Sequence, residues 1–233
     1  WILYNSKVRN LSYNSTQSYS LDLRSFCAFA FNGNTDISPS DFTKIKLQEF
    51  RNWIVFLKSQ SLGSATISRK ISSLKNFLSW LETTQNLKNS DIEKLEPPRK
   101  EKTLPRPNSV KEIEKLIKSI EKSHEEKWVI HRNKAILILL YTCGMRISEA
   151  LGLRQSVLPL ADSIIIRGKG NKERMVPILD ITARAISDYL KSMPFDKKSN
   201  DFLFLGVRGK KLAPRSFQKV IEKARKENGL LET

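Results

Sequence analysis

RNKAILILLYTCGMRISEALGL, residues 132–153, is the stretch of sequence that decides the fold. Its apolar stretch is long enough to form a buried helix. That helix is expected to break at residues 142–144, where a glycine can close it, and to restart in a short segment around Arg146. The stretch therefore predicts a helical core with an arginine at a helix break.

The residues on either side predict a mostly helical domain with a small antiparallel sheet. SIIIR (163–167) and RMVPI (174–178) form a hairpin around a turn at 168–172. A capping box, Ser-Val-Lys-Glu, begins a helix at Ser109. Further helices are expected at 181–191 and 214–228, with a strand or turn at DFLFLG (201–206) between them.

The first part of the chain predicts a second helical domain, with helices at 14–31, 41–60 and 63–81. The third helix has an apolar stripe and an opposite polar face, and no carboxylate occurs between Glu49 and Glu82. Two interpretations are open for this face: it inserts toward a DNA groove, or it is simply solvated. The DNA-binding candidates are Thr66, Arg69, Lys70, Ser73 and Lys75.

A segment rich in proline and basic residues, EPPRKEKTLPRPN (96–108), has the composition of a stiff linker. We expect an N-terminal helical domain at 1–96, a linker at 97–107 and a second domain at 108–233. Cys27 and Cys143 lie in apolar helical patterns, which predicts buried free thiols and a reducing compartment. Because the chain begins at Trp1 rather than Met, its N-terminus is expected to be trimmed.

The charge of the chain favours a polyanionic partner. There are 41 Lys and Arg residues against 24 Asp and Glu, a net charge of +17. A lysine-rich genome or a membrane surface could also account for it. No stretch has the ~20 apolar residues that a membrane span needs, and the basic residues are spread over both halves, so DNA or RNA is favoured.

Two cations are the candidates for phosphate chemistry. Arg146 stands in an apolar neighbourhood, where a buried guanidinium needs an anionic partner. That partner is either Glu149, three residues on, or a phosphate, which a planar guanidinium matches with two hydrogen bonds. Lys169, in the turn of GKGNKER, is either an ordinary exposed lysine or a donor to phosphate or a leaving oxygen.

The order of these segments resembles that of the tyrosine recombinases, the phage integrase family, and is most similar to the bacterial Xer-type enzymes. The resemblance spans nearly the whole chain. In the first domain it rests on TQSYSLDLRSF (16–26) and SATISRKISSLKNFLSWL (64–81), and at the junction on EKTLPRPNS (101–109). In the second it rests on residues 132–153 and on GKGNKERMVPI (168–178).

The resemblance implies a SAM-like helical core-binding domain and a mostly helical catalytic domain that close around duplex DNA. It implies strand cleavage and rejoining through a 3′-phosphotyrosyl intermediate, without metal or cofactor. By residue match, Arg146 stabilises the charged phosphorane, Lys169 is the general acid and Glu149 supports the site. It further implies a cytoplasmic, nucleoid-associated protein that resolves chromosome dimers with a paired recombinase subunit in a tetramer.

The sequence also departs from the family pattern. The His-x-x-Arg segment, a later His or Trp, and the nucleophilic tyrosine have no match, since His124 and His131 precede Arg146. We therefore expect a C-terminally truncated catalytic domain that binds DNA but does not cleave it. A non-catalytic accessory protein and a phage or transposon integrase are the alternatives. Further phosphate contacts are expected at Lys172, Arg174, Lys210, Lys211 and Arg215.

Overall fold

The computed structural model describes residues 1–34, 36–99, 107–168, 172–196 and 201–230. The described residues form ten α-helices and one two-stranded antiparallel sheet. The chain divides into two compact units, Trp1–Thr103 and Leu104–Thr233, each with its own apolar core. Because residues 100–106 lie outside the description, the limits of the expected linker remain a prediction.

The first unit is built from five helices around an aromatic core. Phe26 and Phe50 stack with ring centroids 5.7 Å apart, and Trp53 meets Phe26 edge-on at 4.9 Å. All three side chains are fully buried, and aromatic side chains of this size bury a large apolar area each. The helices are α1 (Ile2–Lys7), α2 (Tyr13–Ala30), α3 (Asp41–Lys44), α4 (Leu47–Ser59) and α5 (Ser64–Gln85).

The prediction of a single helix at 41–60 is wrong, because the chain forms α3 and α4 with a break between them. The backbone is extended at Ile45 and Lys46, and the Lys46 N–H donates to the Glu49 carboxylate at 2.8 Å. The buried Asn89 side chain donates to the carbonyls of Phe42 and Ile45, at 2.7 and 2.9 Å. The nearby Glu49 carboxylate and the distant Asn89 amide thus satisfy backbone groups that a continuous helix would have paired.

The second unit has α7 at its centre. Ala135, Ile136 and Leu139 on this helix are fully buried, as its near-continuous apolar sequence predicts. The helices are α6 (Val110–Glu121), α7 (Lys127–Cys143), α8 (Ile147–Ala150), α9 (Asp180–Ser192) and α10 (Pro214–Glu227), with a 3₁₀ turn at Gln155–Val157. The mainly helical fold with a small sheet is confirmed.

The break expected at residues 142–144 is also confirmed. Gly144 follows the last residue of α7 with φ of +56°, a left-handed conformation that glycine adopts without strain. The chain then runs through Met145 and Arg146 into α8. The glycine therefore turns the backbone so that Arg146 comes just before a new helix.

The hairpin consists of β1 (Ser163–Arg167) and β2 (Glu173–Pro177), paired antiparallel with Ile166 opposite Arg174. Ile164, Ile166 and Val176 are buried against the core. Alternate residues point the other way, as a period of two requires. The hairpin predicted from the sequence is confirmed, with β2 beginning one residue earlier than expected.

The segment 201–206 makes isolated bridges rather than a regular strand, pairing Phe202 with Arg154 and Leu205 with Lys211. Arg132, which is 5% exposed, donates to the Leu205 carbonyl at 2.8 Å and to the Asn133 side chain. The Leu205 N–H donates to the buried Tyr189 hydroxyl at 3.1 Å. These contacts satisfy the backbone of a segment that no sheet supports.

The cysteine prediction is corrected in one respect. Cys27 and Cys143 are free thiols, as expected, but both are partly exposed rather than buried. Cys143 ends α7 at the helix break, and its thiol donates to the Pro177 carbonyl at 3.4 Å. Partial burial raises the pKa of the Cys27 thiol.

Candidate functional site

Arg146 is exposed, not buried as its apolar neighbours in the sequence suggested. Its side chain has 64% of its surface accessible, because the turn at Gly144 directs it away from the core that α7 fills. One guanidinium nitrogen, Nη1, donates to Glu149 Oε1 at 2.9 Å. The guanidinium is thus anchored at one nitrogen while most of its surface faces solvent.

Glu149 is the buried member of the pair, with a side chain that is 6% exposed. Its carboxylate accepts four hydrogen bonds. Oε1 accepts from Nη1 of Arg146 at 2.9 Å and Nη1 of Arg174 at 3.2 Å. Oε2 accepts from the Arg146 backbone N–H at 2.8 Å and Nη2 of Arg174 at 2.8 Å. One carboxylate therefore links two arginines, and the cluster has a net charge of +1.

These contacts lower the pKa of Glu149 to about 2. The hydrogen bonds from Arg174 are the largest cause, and burial opposes them. The backbone and side-chain hydrogen bonds from Arg146 lower the pKa further. The carboxylate is therefore ionised at neutral pH, where the cluster carries its net positive charge.

The hairpin turn adjoins this cluster. A Cβ placed on Gly168 would come within 3.2 Å of Glu149 Oε1 and 3.4 Å of Arg174 Nη1, so the ion cluster packs directly against a glycine. Lys169, the candidate general acid, lies outside the described residues, and its role stays a prediction. Lys172 is exposed just before β2, where a phosphate could reach it.

The third-helix candidates, now on α5, are not equivalent. Ser73 is a wrong prediction for DNA contact, because it is fully buried and its hydroxyl donates to the Tyr19 carbonyl at 3.3 Å. Arg69 and Lys70 both pair with Asp22, whose side chain is 3% exposed. Thus α2 covers part of the polar face that the sequence assigned to a partner.

Arg69 keeps 44% of its side chain exposed, whereas Lys70 keeps 13%. Thr66 and Lys75 are partly exposed on the same helix. Although no carboxylate occurs between Glu49 and Glu82 in the sequence, the Asp22 carboxylate of α2 lies against the basic residues of α5. Arg69, Thr66 and Lys75 retain surface for a partner.

The remaining basic candidates lie in the second unit. Lys210 and Lys211 are exposed, and Lys211 Nζ stands 4.4 Å from the Phe202 ring centroid. Arg154 places its guanidinium carbon 3.8 Å from the same ring. Arg215 pairs with Glu222 at 2.7 Å, with side chains 65% and 56% exposed. An exposed pair of this kind is weak and can be exchanged for a phosphate.

Two of the tyrosines, Tyr141 and Tyr189, belong to the second unit. Tyr189 is fully buried, and burial raises its pKa. Its hydroxyl donates to Met193 Sδ at 3.1 Å. Tyr141 lines a groove of about 610 Å³ with Ile147 and Arg215. Of the two histidines, His131 is in contact with Ser192 on α9, and His124 is exposed.

Comparison with known families identifies the class of protein. The phage integrase family model matches residues 109–233. The model of the phage integrase N-terminal SAM-like domain matches residues 1–85. The chain therefore belongs to the phage integrase family, the tyrosine recombinases.

Within that family the chain is similar to Xer-type enzymes. It is 36% identical over 233 residues to tyrosine recombinase XerC of Rickettsia bellii, covering 100% of this chain and 76% of that protein. It is 35% identical to XerC of Rickettsia prowazekii, with the same coverage. The resemblance seen in the sequence is confirmed.

Solved structures share the fold. A XerH recombinase bound to palindromic difH substrate matches with a TM-score of 0.72 at 23% identity, covering 97% of this chain and 66% of that one. A lambda integrase dimer bound to a COC′ core site gives 0.72 at 13% identity, covering 96% and 60%. Among the described residues, no helix is long and apolar enough to cross a membrane.

The sequence failed to identify two contributors to these charged clusters. Arg174 was expected on a phosphate path, and the structure pairs it with Glu149. Asp22 was not singled out, although a carboxylate within the apolar helix pattern of residues 16–26 needs a cationic partner and could have signalled one. Both are contacts between residues far apart in sequence.

Proposed function

We propose that this chain is the DNA-binding part of a Xer-type site-specific recombinase, and that Arg146 contacts a backbone phosphate. The observation that carries the proposal is an arginine fixed at one nitrogen by a buried carboxylate and 64% exposed elsewhere. A guanidinium held in this way loses little conformational entropy on meeting a phosphate, and its remaining donors match phosphate oxygens.

The partner is double-stranded DNA at a recombination site, bound with a second recombinase subunit. The net charge of +17 supports a polyanion, and the similar structures include a XerH complex with difH substrate and a lambda integrase tetramer on a Holliday junction. The cellular role is chromosome dimer resolution in the cytoplasm, supported by the 36% identity to XerC.

In the reaction, Arg146 stabilises negative charge on the phosphorane and Glu149 keeps the guanidinium in place. Lys169 donates a proton to the departing 5′-oxygen. We assign the nucleophile to none of the five tyrosines. Tyr189 is buried and hydrogen-bonded, and Tyr4, Tyr13 and Tyr19 belong to the first unit. Tyr141 lies on α7, before the helix break that leads to Arg146, whereas the family pattern requires a tyrosine later in the chain. This chain therefore binds the site without forming the covalent link.

A nicked duplex that traps a covalent intermediate tests this function. The duplex is enriched from a random library by binding to this chain, then labelled and incubated with it. We expect salt-dependent binding and no covalent adduct on a denaturing gel. Absence of salt-dependent binding would contradict the DNA-binding proposal, and a covalent adduct would contradict the assignment of the tyrosines.

The same experiment addresses the accessory-protein alternative. Fusing the chain to the C-terminal part of a similar XerC adds the His-x-x-Arg segment and the tyrosine that the family pattern requires. Adduct formation by the fusion, and its loss in an Arg146→Gln fusion, supports a recombinase site in this chain. If the Arg146→Gln fusion cleaves as well as the unmodified fusion, the proposed role of Arg146 is wrong.

A further inference from the structure

Arg174 is placed to act on Arg146 through Glu149, the carboxylate that both arginines contact. Arg174 lies on β2, and its guanidinium donates to both carboxylate oxygens of Glu149, at 3.2 and 2.8 Å. A third contact, to the Gly144 carbonyl at 3.5 Å, reaches the turn that directs Arg146 outward. Arg174 thus connects the hairpin to the helix break through one carboxylate.

The contacts of Glu149 show why a second arginine is needed. With Arg174 removed, the carboxylate would keep one hydrogen bond at each oxygen, both from Arg146, and would lose the bidentate pair that orients it from the hairpin side. Each carboxylate oxygen accepts one hydrogen bond from Arg146 and one from Arg174. Bidentate pairs of this kind restrict orientation more than a single contact does.

The backbone geometry at Gly168 leaves space for this arrangement. Any side chain there would bring its Cβ to 3.2 Å from Glu149 Oε1, which is closer than most Cβ contacts, and to 3.4 Å from Arg174 Nη1. A glycine at position 168 therefore leaves room for the Glu149–Arg174 pair beside the hairpin.

The geometry points to Arg174 as a positioning residue that holds the Glu149 carboxylate, and through it the Arg146 guanidinium, in the orientation that receives the phosphate. This inference rests on the proposed function of Arg146. It replaces the expectation that Arg174 is itself a phosphate contact. With Arg174 at 38% exposure and Arg146 at 64%, the more accessible arginine is the one left for the partner.

A double-mutant cycle between Arg146 and Arg174 separates the two roles. Affinity for the enriched duplex is measured for the unmodified chain, Arg146→Gln, Arg174→Gln and the double variant. If Arg174 acts through Arg146, Arg174→Gln weakens binding by about tenfold alone and has little effect once Arg146 is gone. If Arg174 contacts DNA independently, its effect is the same in both backgrounds, and the inference is wrong.

A second readout distinguishes positioning from a general structural role. Arg174→Lys retains the charge but cannot donate to both carboxylate oxygens in the same plane, so we expect it to recover less than half of the lost affinity. Full recovery would overturn the inference. Melting temperatures of all variants identify loss of folding, and Arg184→Gln is the matched control, because Arg184 is 80% exposed in the same unit with only a 3.9 Å pair to Asp180.

The outcome for Arg146→Gln alone distinguishes failure of the proposed function from failure of this inference. If that variant binds DNA as the unmodified chain does, the proposed phosphate contact is wrong and the inference falls with it. If it weakens binding while Arg174→Gln weakens binding by an independent and additive amount, the proposed function stands and the inference alone is overturned.

Discussion

At the scale of single residues, the site is one buried carboxylate that serves two arginines. Glu149 is nearly inaccessible, yet it stays ionised because four donors converge on it. The cost of burying its charge is offset by those contacts, and the exposed Arg146 gains a fixed anchor. The phosphate-binding capacity of Arg146 is thus a property of its partners as well as of its own charge.

The titration of Glu149 is the first prediction. Its pKa in the folded chain is about 2, against an ordinary value of 4.5, so the ionised group stabilises the fold above pH 4.5. That contribution is lost as the pH falls through about 2. We expect Arg174→Gln to raise this pKa toward the ordinary value, because the Arg174 hydrogen bonds are the largest cause of the shift.

Carboxyl ¹³C chemical shifts followed by NMR across the acid range provide the measurement. The comparison is with Arg184→Gln, which should leave the Glu149 titration where it is in the unmodified chain. An unchanged Glu149 pKa in Arg174→Gln would mean that the two side chains do not pair in solution.

The sequence predicted one part of this cluster and not the other. Arg146 and Glu149 are three residues apart, so helical spacing alone brings them together. Arg174 is 25 residues beyond Glu149, and its pairing depends on how the hairpin packs against the helix break. Sequence spacing carries no information on such a contact, and the residue was accordingly assigned to the DNA surface.

At the scale of elements, the helices and the hairpin followed from apolar periodicity, capping residues and glycine. The errors arose where a distant side chain intervened. The Asn89 side chain donates to backbone carbonyls at the break between α3 and α4, and the Asp22 carboxylate pairs with basic residues of α5. In both cases a polar group from another element satisfied groups that the local pattern left to solvent or to a partner.

The α2–α5 contact gives the second prediction. Asp22→Asn removes the buried charge that Arg69 and Lys70 share, and we expect the free energy of unfolding of the first unit to fall by about 3 kcal/mol. Asp36→Asn, which changes an exposed carboxylate in the same unit, is the matched control.

Chemical denaturation followed by tryptophan fluorescence measures the change, since Trp53 is buried in the same core. A lower free energy of unfolding in Asp22→Asn, with no change in the control variant, supports the structural role of the ion pairs. Equal stability of the Asp22→Asn and unmodified chains would show that Arg69 and Lys70 are free to contact DNA, as first expected.

At the scale of the whole molecule, both units carry basic residues and the chain has a net charge of +17. Binding to DNA therefore depends on the release of counterions, and its affinity should fall steeply as salt rises. This salt dependence is a property of the surface as a whole. The sequence indicated a polyanionic partner from composition alone, because net charge does not depend on how the chain folds.

The third prediction concerns how far the phosphate path extends beyond Arg146. Charge reversal of Lys210 and Lys211 to Glu should weaken DNA binding and reduce the slope of log affinity against log salt by about 1 for each lost phosphate contact. Fluorescence anisotropy at several salt concentrations provides the slope. A slope equal to that of the unmodified chain would remove both lysines from the path.

The central claim, that Arg146 meets a DNA phosphate, is tested most directly by the salt dependence of binding in Arg146→Gln. Anisotropy titrations on the enriched duplex, with Arg184→Gln as the control, compare the slopes. We predict a slope smaller by about 1 for Arg146→Gln and no change for the control. Equal slopes for Arg146→Gln and the unmodified chain would contradict the claim.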